Sequence, residues 1–296
     1  MVRKIAMQKN KKLLITGSYG LVGSNICKIL ERDYPDIEVT KIKCTEGLVG
    51  LPTAHYDYVI FGAGYGQPAK FSKEKLETIQ INTDHVMCAF NKIKVDGKFL
   101  YISSSEVYSG ASSPHKETDI GTTTPQHPRA CYIEGKRCGE AICMAYKEQG
   151  YDVKIARLAL AYGPGTKKGD TRVLNQFIEQ ALTTGEIKVK DDGSAMRTYL
   201  YVEDAAQMIL DILFKGKETV YNVGGISITD IADLGRIIAN KTGTSISFGE
   251  KSIEGSPDNV RVCIDRINAE FPRQFISLDE GLKRTIEYQK ELYGIK

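Results

Sequence analysis

Three glycines spaced three residues apart follow the first apolar segment of the chain. The segment from Lys11 to Thr16 has the composition of a short strand, and Gly17, Gly20 and Gly23 come after it. The residues that follow show the apolar periodicity of a helix. Glycines in this position permit a tight turn, and the amides of the helix N-terminus can then hold a pyrophosphate. The pattern favours a dinucleotide-binding α/β fold over an ordinary strand–helix turn whose glycines are incidental.

Strand and helix patterns alternate along the rest of the first half of the chain. Short apolar runs at Tyr58–Phe61, Phe99–Ile102 and Val153–Leu158 predict three further strands. The residues between the first two runs predict one long helix from about Lys73 to Lys94. Strands that alternate with helices indicate parallel βαβ units. The predicted fold class is therefore α/β, with a Rossmann-type, doubly wound parallel sheet.

The pattern changes after about residue 166. Short strands and helices follow one another there, which predicts a smaller C-terminal α+β lobe. We expect a dinucleotide-binding domain over residues 1–165 and a substrate lobe over residues 166–296, with the chain crossing between them. Because ligands of open α/β sheets bind at the carboxyl ends of the strands, we expect this lobe to cover that edge.

The composition narrows the classes of function. A net charge of +3 over 296 residues favours neither nucleic acid nor an anionic membrane surface as a partner. Apolar runs stay below the ~20 residues that span a bilayer. Seven cysteines without a Cys-x-x-Cys pair and four scattered histidines predict no disulfide framework and no metal site. We expect a cytoplasmic protein without nucleic-acid or membrane partners.

A polar cluster and a tyrosine–lysine pair form the candidate catalytic site. Ser104 and Glu106 stand where the apolar run Phe99–Ile102 ends, and Tyr132 precedes Lys136 by four residues on a predicted helix. Since positions i and i+4 share a helix face, Lys136 is expected to lower the pKa of Tyr132 and make it a general acid/base. Taken alone, a Tyr-x-x-x-Lys pair also arises by chance, and Glu106 also fits a helix cap or a salt bridge.

The run Val39–Lys43 predicts a further strand between those at Lys11–Thr16 and Tyr58–Phe61, and its end bears on the choice of cofactor. An acidic residue commonly closes this strand and binds the adenosine ribose of NAD. Here the position holds Lys43, which fits either the 2′-phosphate of NADP or a solvated surface charge. The strand predicted at Tyr58–Phe61 is followed by Gly62 and Ala63, where the backbone can run close to a ligand.

Several motifs together resemble a known family. The glycine turn, Ser104 and the tyrosine–lysine pair look like those of the extended short-chain dehydrogenases/reductases, the NAD-dependent epimerase/dehydratase family. The segments Tyr162–Pro164 and Arg197–Asp204 extend the likeness over nearly the whole chain. The segment Pro128–Arg137 resembles the active-site helix of UDP-glucuronate decarboxylases (UDP-xylose synthases) almost residue for residue.

The resemblance implies an enzyme of polysaccharide biosynthesis that acts as a homodimer on a UDP- or GDP-linked sugar. It implies NAD as the cofactor, with NADP as the alternative. The cofactor-binding residues would be Gly17, Tyr19, Gly20, Leu21, Val22, Lys43, Gly62, Ala63, Tyr132 and Lys136. The catalytic residues would be Ser104, Tyr132, Lys136 and Glu106, and the substrate-binding residues Tyr65, Ser105, Arg172, Arg197 and Arg261.

The implied first step is oxidation of the sugar C4 hydroxyl to a ketone by hydride transfer, with Tyr132 as base and Ser104 sharing the hydrogen bond. Three outcomes then stay open: release of the 4-keto sugar by a 4-dehydrogenase, epimerisation, or decarboxylation of a C6 carboxylate held by Arg172. The alternatives are a 4,6-dehydratase, in which Glu106 is the base for the C5 proton, and a non-catalytic cofactor-binding protein of the same fold.

Overall fold

The computed structural model describes residues 10–43, 45–250 and 259–295. In chain order, its strands are β1 (Lys11–Thr16), β2 (Ile37–Ile42), β3 (Tyr56–Phe61), β4 (Ile93–Ser104), β5 (Asp152–Leu158), β6 (Leu160–Tyr162), β7 (Glu186–Val189), β8 (Met196–Tyr201), β9 (Val220–Val223), β10 (Ser227–Asp230), β11 (Ser245–Phe248) and β12 (Asn259–Val260). Its helices are α1 (Leu21–Asp33), α2 (Pro68–Lys73), α3 (Lys75–Asn82), α4 (Asp84–Phe90), α5 (Ala130–Glu148), α6 (Val173–Thr184), α7 (Val202–Lys215), α8 (Ile231–Thr242), α9 (Asp265–Glu270) and α10 (Leu278–Tyr293). Two short 3-10 helices span Thr45–Leu48 and Ser105–Tyr108.

Six strands form one sheet in the order β2-β1-β3-β4-β5-β9, and the neighbouring strands pair in parallel. The central strands are apolar without alternation, since Leu13, Leu14 and Ile15 of β1 are all fully buried. Such runs form where helices cover both faces of a parallel sheet. The predicted α/β class with a Rossmann-type, doubly wound parallel sheet is confirmed.

Helices cover both faces of this sheet. Leu13 and Ile15 belong to one apolar core with side chains of α1 and α7, whereas Leu14 belongs to another with side chains of α3, α4 and α5. The division follows from the pleat, because successive side chains of a strand point to opposite faces. Among residues 10–43, 45–250 and 259–295, no helix is long and apolar enough to cross a membrane.

The predicted long helix from about Lys73 to Lys94 is wrong. Helix α2 ends at Lys73, two short helices, α3 and α4, occupy the stretch that follows, and Ile93 begins strand β4. The helical geometry breaks at Glu74 (φ −100°, ψ 59°) and at Thr83 (φ −121°, ψ −86°). Ile93 instead pairs with Tyr56 of β3. The apolar spacing of residues 73–94 matches a helix, but pairing with β3 makes Ile93 part of a strand instead.

A second, smaller group of strands lies in the C-terminal part of the chain. Strands β6, β10 and β12 pair with β8, and side chains of α6, α8 and α10 form a separate apolar core with it. Helix α7 and strand β9 pack with the first sheet, so the chain crosses between the two groups. The division of the chain at residue 165 into a cofactor domain and a substrate lobe stays a prediction.

Helix α5 packs closely on α3 because a residue without a side chain lies at the contact. A Cβ atom at Gly139 would stand 2.9 Å from the carbonyl oxygen of Asn82 and would also collide with the Tyr101 hydroxyl. That hydroxyl donates a 2.8 Å hydrogen bond to Oδ1 of Asn82, so it is not free to turn away. Asn82 and Tyr101 thereby set the distance between α3, β4 and the helix that carries Tyr132.

The substitution Gly139→Ala is expected to destabilise the protein by about 1 kcal/mol or more, because overpacking at this contact exceeds the gain in helix propensity. Urea unfolding at neutral pH measures the change. Gly50→Ala is the matched control, since a Cβ atom at Gly50 meets nothing within 4 Å, and it should stay within about 0.5 kcal/mol of the wild type. Equal stability of the two variants would contradict the packing argument.

Candidate active site

A cleft of about 480 Å³ opens at the carboxyl ends of β1, β3, β4 and β5. Its walls come from the glycine turn after β1, the residues after β3, the end of β4, the first turns of α5 and the residues that follow β5. Parallel strands bring these widely separated parts of the chain to one edge, which is where open α/β sheets bind ligands.

The turn between β1 and α1 has room for a ligand because it carries few side chains. Gly17 has a φ of 69°, and a Cβ atom there would stand 2.5 Å from the carbonyl oxygen of Gly62. The Thr16 hydroxyl accepts 3.1 Å hydrogen bonds from the amides of Gly62 and Ala63, which joins the ends of β1 and β3. Among the described residues, no side chain caps α1 at Gly20. This cradle fits the pyrophosphate of a dinucleotide.

Lys136 is buried beside the end of β4. Its ammonium donates a 2.9 Å hydrogen bond to the carbonyl oxygen of Ile102 and lies 4.7 Å from the centre of the Tyr101 ring. Burial lowers the pKa of Lys136 to about 8, and the carboxylate of Glu140 acts in the opposite direction. The charge of this lysine therefore depends on pH close to neutrality.

Tyr132 lines the cleft, and its ring stacks on Phe71 of α2 with 4.6 Å between the ring centroids. Burial raises the pKa of Tyr132, whereas a hydrogen bond with Ser104 and the charges of Arg129 and Arg172 lower it. The expected net lowering of this pKa by the neighbouring lysine is wrong. Burial of the phenol outweighs the favourable charges, and the lysine ammonium is bonded to a backbone carbonyl instead.

Two arginine–carboxylate pairs stand near Tyr132. Arg129 donates to Glu106 at 2.6 Å. Arg172 donates through Nε and Nη2 to both carboxylate oxygens of Asp170, which is buried. All four residues line the cleft. Paired hydrogen bonds to a carboxylate hold a planar guanidinium in one orientation, so Arg172 has a defined position, whereas Arg129 bonds Glu106 through one nitrogen.

Most of the predicted site residues come together in this cleft. The residues that line it are Gly17, Gly20, Leu21, Val22, Gly62, Ala63, Tyr65, Ser104, Ser105, Glu106, Tyr132, Lys136 and Arg172. The residues outside its lining are Tyr19, Lys43, Arg197 and Arg261.

These four residues have other surroundings. Tyr19 is 57% exposed, and Lys43 is exposed directly after β2. Arg197 donates at 2.8 Å to the carbonyl oxygen of the residue before it. Arg261 donates through Nε to Asn259 at 2.9 Å. Their roles in binding cofactor or substrate stay predictions.

Three residues that contact or pair with predicted site residues were not themselves predicted. Arg129 had a usable signal, because it lies three residues before Tyr132, about one helical turn away. Asp170 could also have been found from the sequence, because it lies two residues before Arg172, at the start of α6. Phe71 had no such signal, because its stacking on Tyr132 joins residues on two different helices. Only the packing of α2 on α5 brings that ring to the site.

Comparison with known proteins places these features in a family. Residues 13–224 match the NAD dependent epimerase/dehydratase family. The chain belongs to that family. The matched span contains the glycine turn and every residue that lines the cleft. The family resemblance seen in the motifs is therefore confirmed, and with it NAD as the family's cofactor.

Known proteins similar to this one match nearly the whole length of the chain. UDP-glucuronic acid decarboxylase 1 of Xenopus tropicalis is 29% identical over 98% of this chain and 75% of its own. The structure of UDP-glucuronic acid 4-epimerase from Bacillus cereus, in complex with UDP-glucuronic acid and NAD, has a TM-score of 0.80 at 22% identity and covers 95% of this chain and 100% of its own. RMD from Pseudomonas aeruginosa, complexed with NADPH, has a TM-score of 0.81 at 24% identity over 95% of this chain and 99% of its own. At these identities the structural likeness concerns the fold.

The low pKa of Lys136 has a consequence for stability. Between its folded value of about 8 and its ordinary value of 10.5, the unfolded chain binds more protons than the folded one, so stability relative to Lys136→Met should rise with pH. From pH 8 to 9.5 the rise is about 1.5 kcal/mol. Urea unfolding of the nucleotide-free protein measures it. Lys28→Met, at an exposed position of α1, is the control. A stability difference between the wild type and Lys136→Met that does not change with pH would contradict the lowered pKa of Lys136.

Proposed function

We propose that this family member is an enzyme that modifies a nucleotide-linked sugar and begins by oxidising the sugar C4 hydroxyl to a ketone. The observation that carries the proposal is the placement of Ser104, Tyr132 and Lys136 in one cleft with the glycine turn. The likeness to UDP-glucuronic acid decarboxylases and to a UDP-glucuronic acid 4-epimerase supports a UDP-linked sugar, with a GDP-linked sugar as the alternative.

Each of these residues has a role that its surroundings support. When bound, NAD supplies the acceptor for the hydride that leaves C4. Tyr132, as phenolate, takes the proton of the C4 hydroxyl, and Ser104 shares the hydrogen bond to that oxygen. Lys136, which lines the cleft at the end of β4, would hold the cofactor ribose. Because burial disfavours the phenolate, the nearby charges of Arg129 and Arg172 offset part of the cost.

Two observations point to different outcomes after the oxidation. The names of the curated relatives favour decarboxylation, which needs a C6 carboxylate β to the new ketone and a cation to hold it. Arg172 lines the cleft near Tyr132 and is the candidate cation. Its Nε and Nη2 already donate to Asp170, so a substrate carboxylate would have to share this arginine. Because Arg172 is already paired with Asp170, the site favours a sugar without a C6 carboxylate. The outcome after oxidation would then be epimerisation or release of the 4-keto sugar.

A 4,6-dehydratase is the second candidate because Ser105 and Glu106 follow Ser104 in the cleft. In that reaction Glu106 takes the C5 proton and an acid protonates the C6 hydroxyl. Arg129 binds one oxygen of Glu106 at 2.6 Å, and a serine hydroxyl is a weak acid. The site therefore supports dehydration less well than oxidation followed by the other outcomes. A cofactor-binding protein without turnover is the remaining alternative.

The products distinguish these reactions. The protein is incubated with NAD⁺ or NADP⁺ and with UDP-glucuronate, UDP-glucose or GDP-mannose, and product masses and the absorbance at 340 nm are followed. Loss of CO₂ means decarboxylation, loss of water means dehydration, and an isomer of equal mass means epimerisation. Loss of two hydrogens together with reduced cofactor means a 4-dehydrogenase. Tyr132→Phe should lower turnover by about 100-fold or more, because the base is removed.

Two controls make this result decisive. The variant Tyr146→Phe, at a tyrosine of the same helix that does not line the cleft, removes a phenol hydroxyl and should keep the turnover of the wild type. Cofactor binding by Tyr132→Phe, followed by fluorescence, shows that the cleft is intact. Turnover of Tyr132→Phe equal to that of the wild type would rule out the catalytic assignment, and absence of turnover in the wild type with all sugars would support the non-catalytic alternative.

The same proposal includes a homodimer in the cytoplasm that supplies activated sugar for polysaccharide synthesis. Leu76 and Ile79 on α3 are 80% and 40% exposed, and Met144 on α5 is 39% exposed. Helices α3 and α5 pack side by side, so these apolar side chains suit a contact between two copies of the chain.

Six cysteines of the described residues are free, which supports a reducing compartment.

The homodimer is tested by placing a charge at the proposed contact. Leu76→Glu should dissociate the dimer, because an unpaired carboxylate would be buried at the interface. Sedimentation at micromolar concentration measures the mass. Val95→Glu is the matched control, since Val95 is 78% exposed on β4 and lies outside the helices. A wild type that sediments as a monomer, or a dimer that survives Leu76→Glu, would contradict this contact.

A further inference from the structure

Glu140 lies one helical turn beyond Lys136 on α5 and accepts hydrogen bonds from two strands of the sheet. The hydroxyl of Ser103, the residue before Ser104 on β4, donates to it at 2.5 Å. Arg157 of β5 donates to both of its oxygens, through Nε at 2.9 and 3.2 Å and through Nη2 at 2.7 Å. The side chains of Arg157 and Glu140 are 13% and 11% exposed. Neither residue lines the cleft.

Arg157 extends this network to the segment that follows the catalytic serine. Its Nη1 donates to the hydroxyl of Tyr108 at 2.8 Å and to the carbonyl oxygen of Glu117 at 3.0 Å. Tyr108 ends the 3-10 helix that follows β4, is fully buried, and donates at 2.7 Å to Asn222 of β9. The network therefore joins α5 to β4, β5 and β9 behind the wall of the cleft.

We propose that Glu140 is a positioning residue which, with Arg157 as its counter-ion, fixes Ser104 of β4 relative to Tyr132 and Lys136 of α5. The bond from Ser103 to Glu140 acts on the residue next to Ser104 and on the helix turn next to Lys136. The bond from Lys136 to Ile102 joins the same two elements, but it uses a group that the reaction itself requires. Glu140 holds the spacing independently of that group.

The chemistry of the pair supports a role beyond stability. Removing two charges from water costs several kcal/mol per ion, and apolar side chains of similar volume often replace a buried pair without loss of stability. Apolar side chains cannot accept the hydrogen bond of the Ser103 hydroxyl. They also place no negative charge near Lys136, whose protonation Glu140 favours. The pair therefore contributes geometry and charge that packing alone does not.

The test replaces the pair with apolar side chains of similar volume, in the double variant Glu140→Leu/Arg157→Met. The matched control is Asp211→Leu/Arg273→Met, because the ion pair of Asp211 and Arg273 spans 3.0 Å and each side chain is 12% exposed. Asp211 lies on α7, and neither control residue lines the cleft. A third variant, Glu140→Asp, keeps the charge but shortens the side chain, and it replaces the double variant if that variant does not fold.

The first measurement uses neither substrate nor cofactor. In each background, the stability difference caused by a further Lys136→Met substitution is followed against pH. Loss of the Glu140 charge should move the pH at which the stability difference begins to rise to a lower value, because that charge favours the protonated form of Lys136. Glu140→Asp should move it less, and the control pair should leave it in place. This measurement reports on the protonation of Lys136. A loss of packing elsewhere in the protein would lower stability without changing that pH dependence.

The second measurement rests on the proposed function and uses the nucleotide sugar that the wild type converts. The Glu140→Leu/Arg157→Met variant should show kcat reduced about 10-fold or more, with KM changed less than about 2-fold. Displacement of Ser104 relative to Tyr132 slows the reaction but does not weaken binding of the nucleotide. Glu140→Asp should restore part of kcat. The control pair should leave kcat within about 2-fold of the wild type.

Two results would overturn the positioning role: an unchanged onset pH in the Glu140 backgrounds, or an equal fall of kcat in the control pair. A shifted onset in a protein that converts none of the sugars supports the positioning role and contradicts the proposed function. A shifted onset together with a lower kcat supports both.

Discussion

The candidate site depends on the attachment of helix α5 to the end of strand β4. The helix carries Tyr132 and Lys136, and the strand ends in Ser104. A hydrogen bond from Lys136 to a backbone carbonyl of β4 and one from β4 to Glu140 join the two elements inside the protein. Because these contacts are buried and fully paired, the hydroxyl, the phenol and the ammonium keep their relative positions better than groups on a mobile loop.

Burial also governs the electrostatics of the cleft. It acts on the pKa of Lys136 and of Tyr132 in opposite directions, since in both cases it disfavours the charged form. The pairs of Arg129 with Glu106 and of Arg172 with a buried aspartate bring cations close to the phenol, each with its own carboxylate. These charges offset part of the cost that burial imposes on a Tyr132 phenolate, and neither arginine is left as an unpaired charge.

Structural features that depend on neighbouring residues in the sequence are predictable, and features that depend on distant residues are not. The glycine turn, the apolar strands and the helix with Tyr132 and Lys136 depend on neighbours within a few residues, and they were correctly predicted. The long helix before β4 was wrong because Ile93 takes its conformation from Tyr56 of a neighbouring strand. The stacking of Phe71 on Tyr132 could not be predicted, since it arises from the packing of two helices.

The sequence by itself determined the α/β class and the glycine turn, because these follow from spacing and local propensity, and its motifs carried the resemblance to the family. It also singled out Ser104, Tyr132 and Lys136 as candidates. The tertiary structure alone decided which arginines face Tyr132, that Glu140 and Arg157 stand behind the site, and in which direction the pKa values move. The physical reason is that burial and charge pairing depend on the distance in space between side chains that are far apart in the chain.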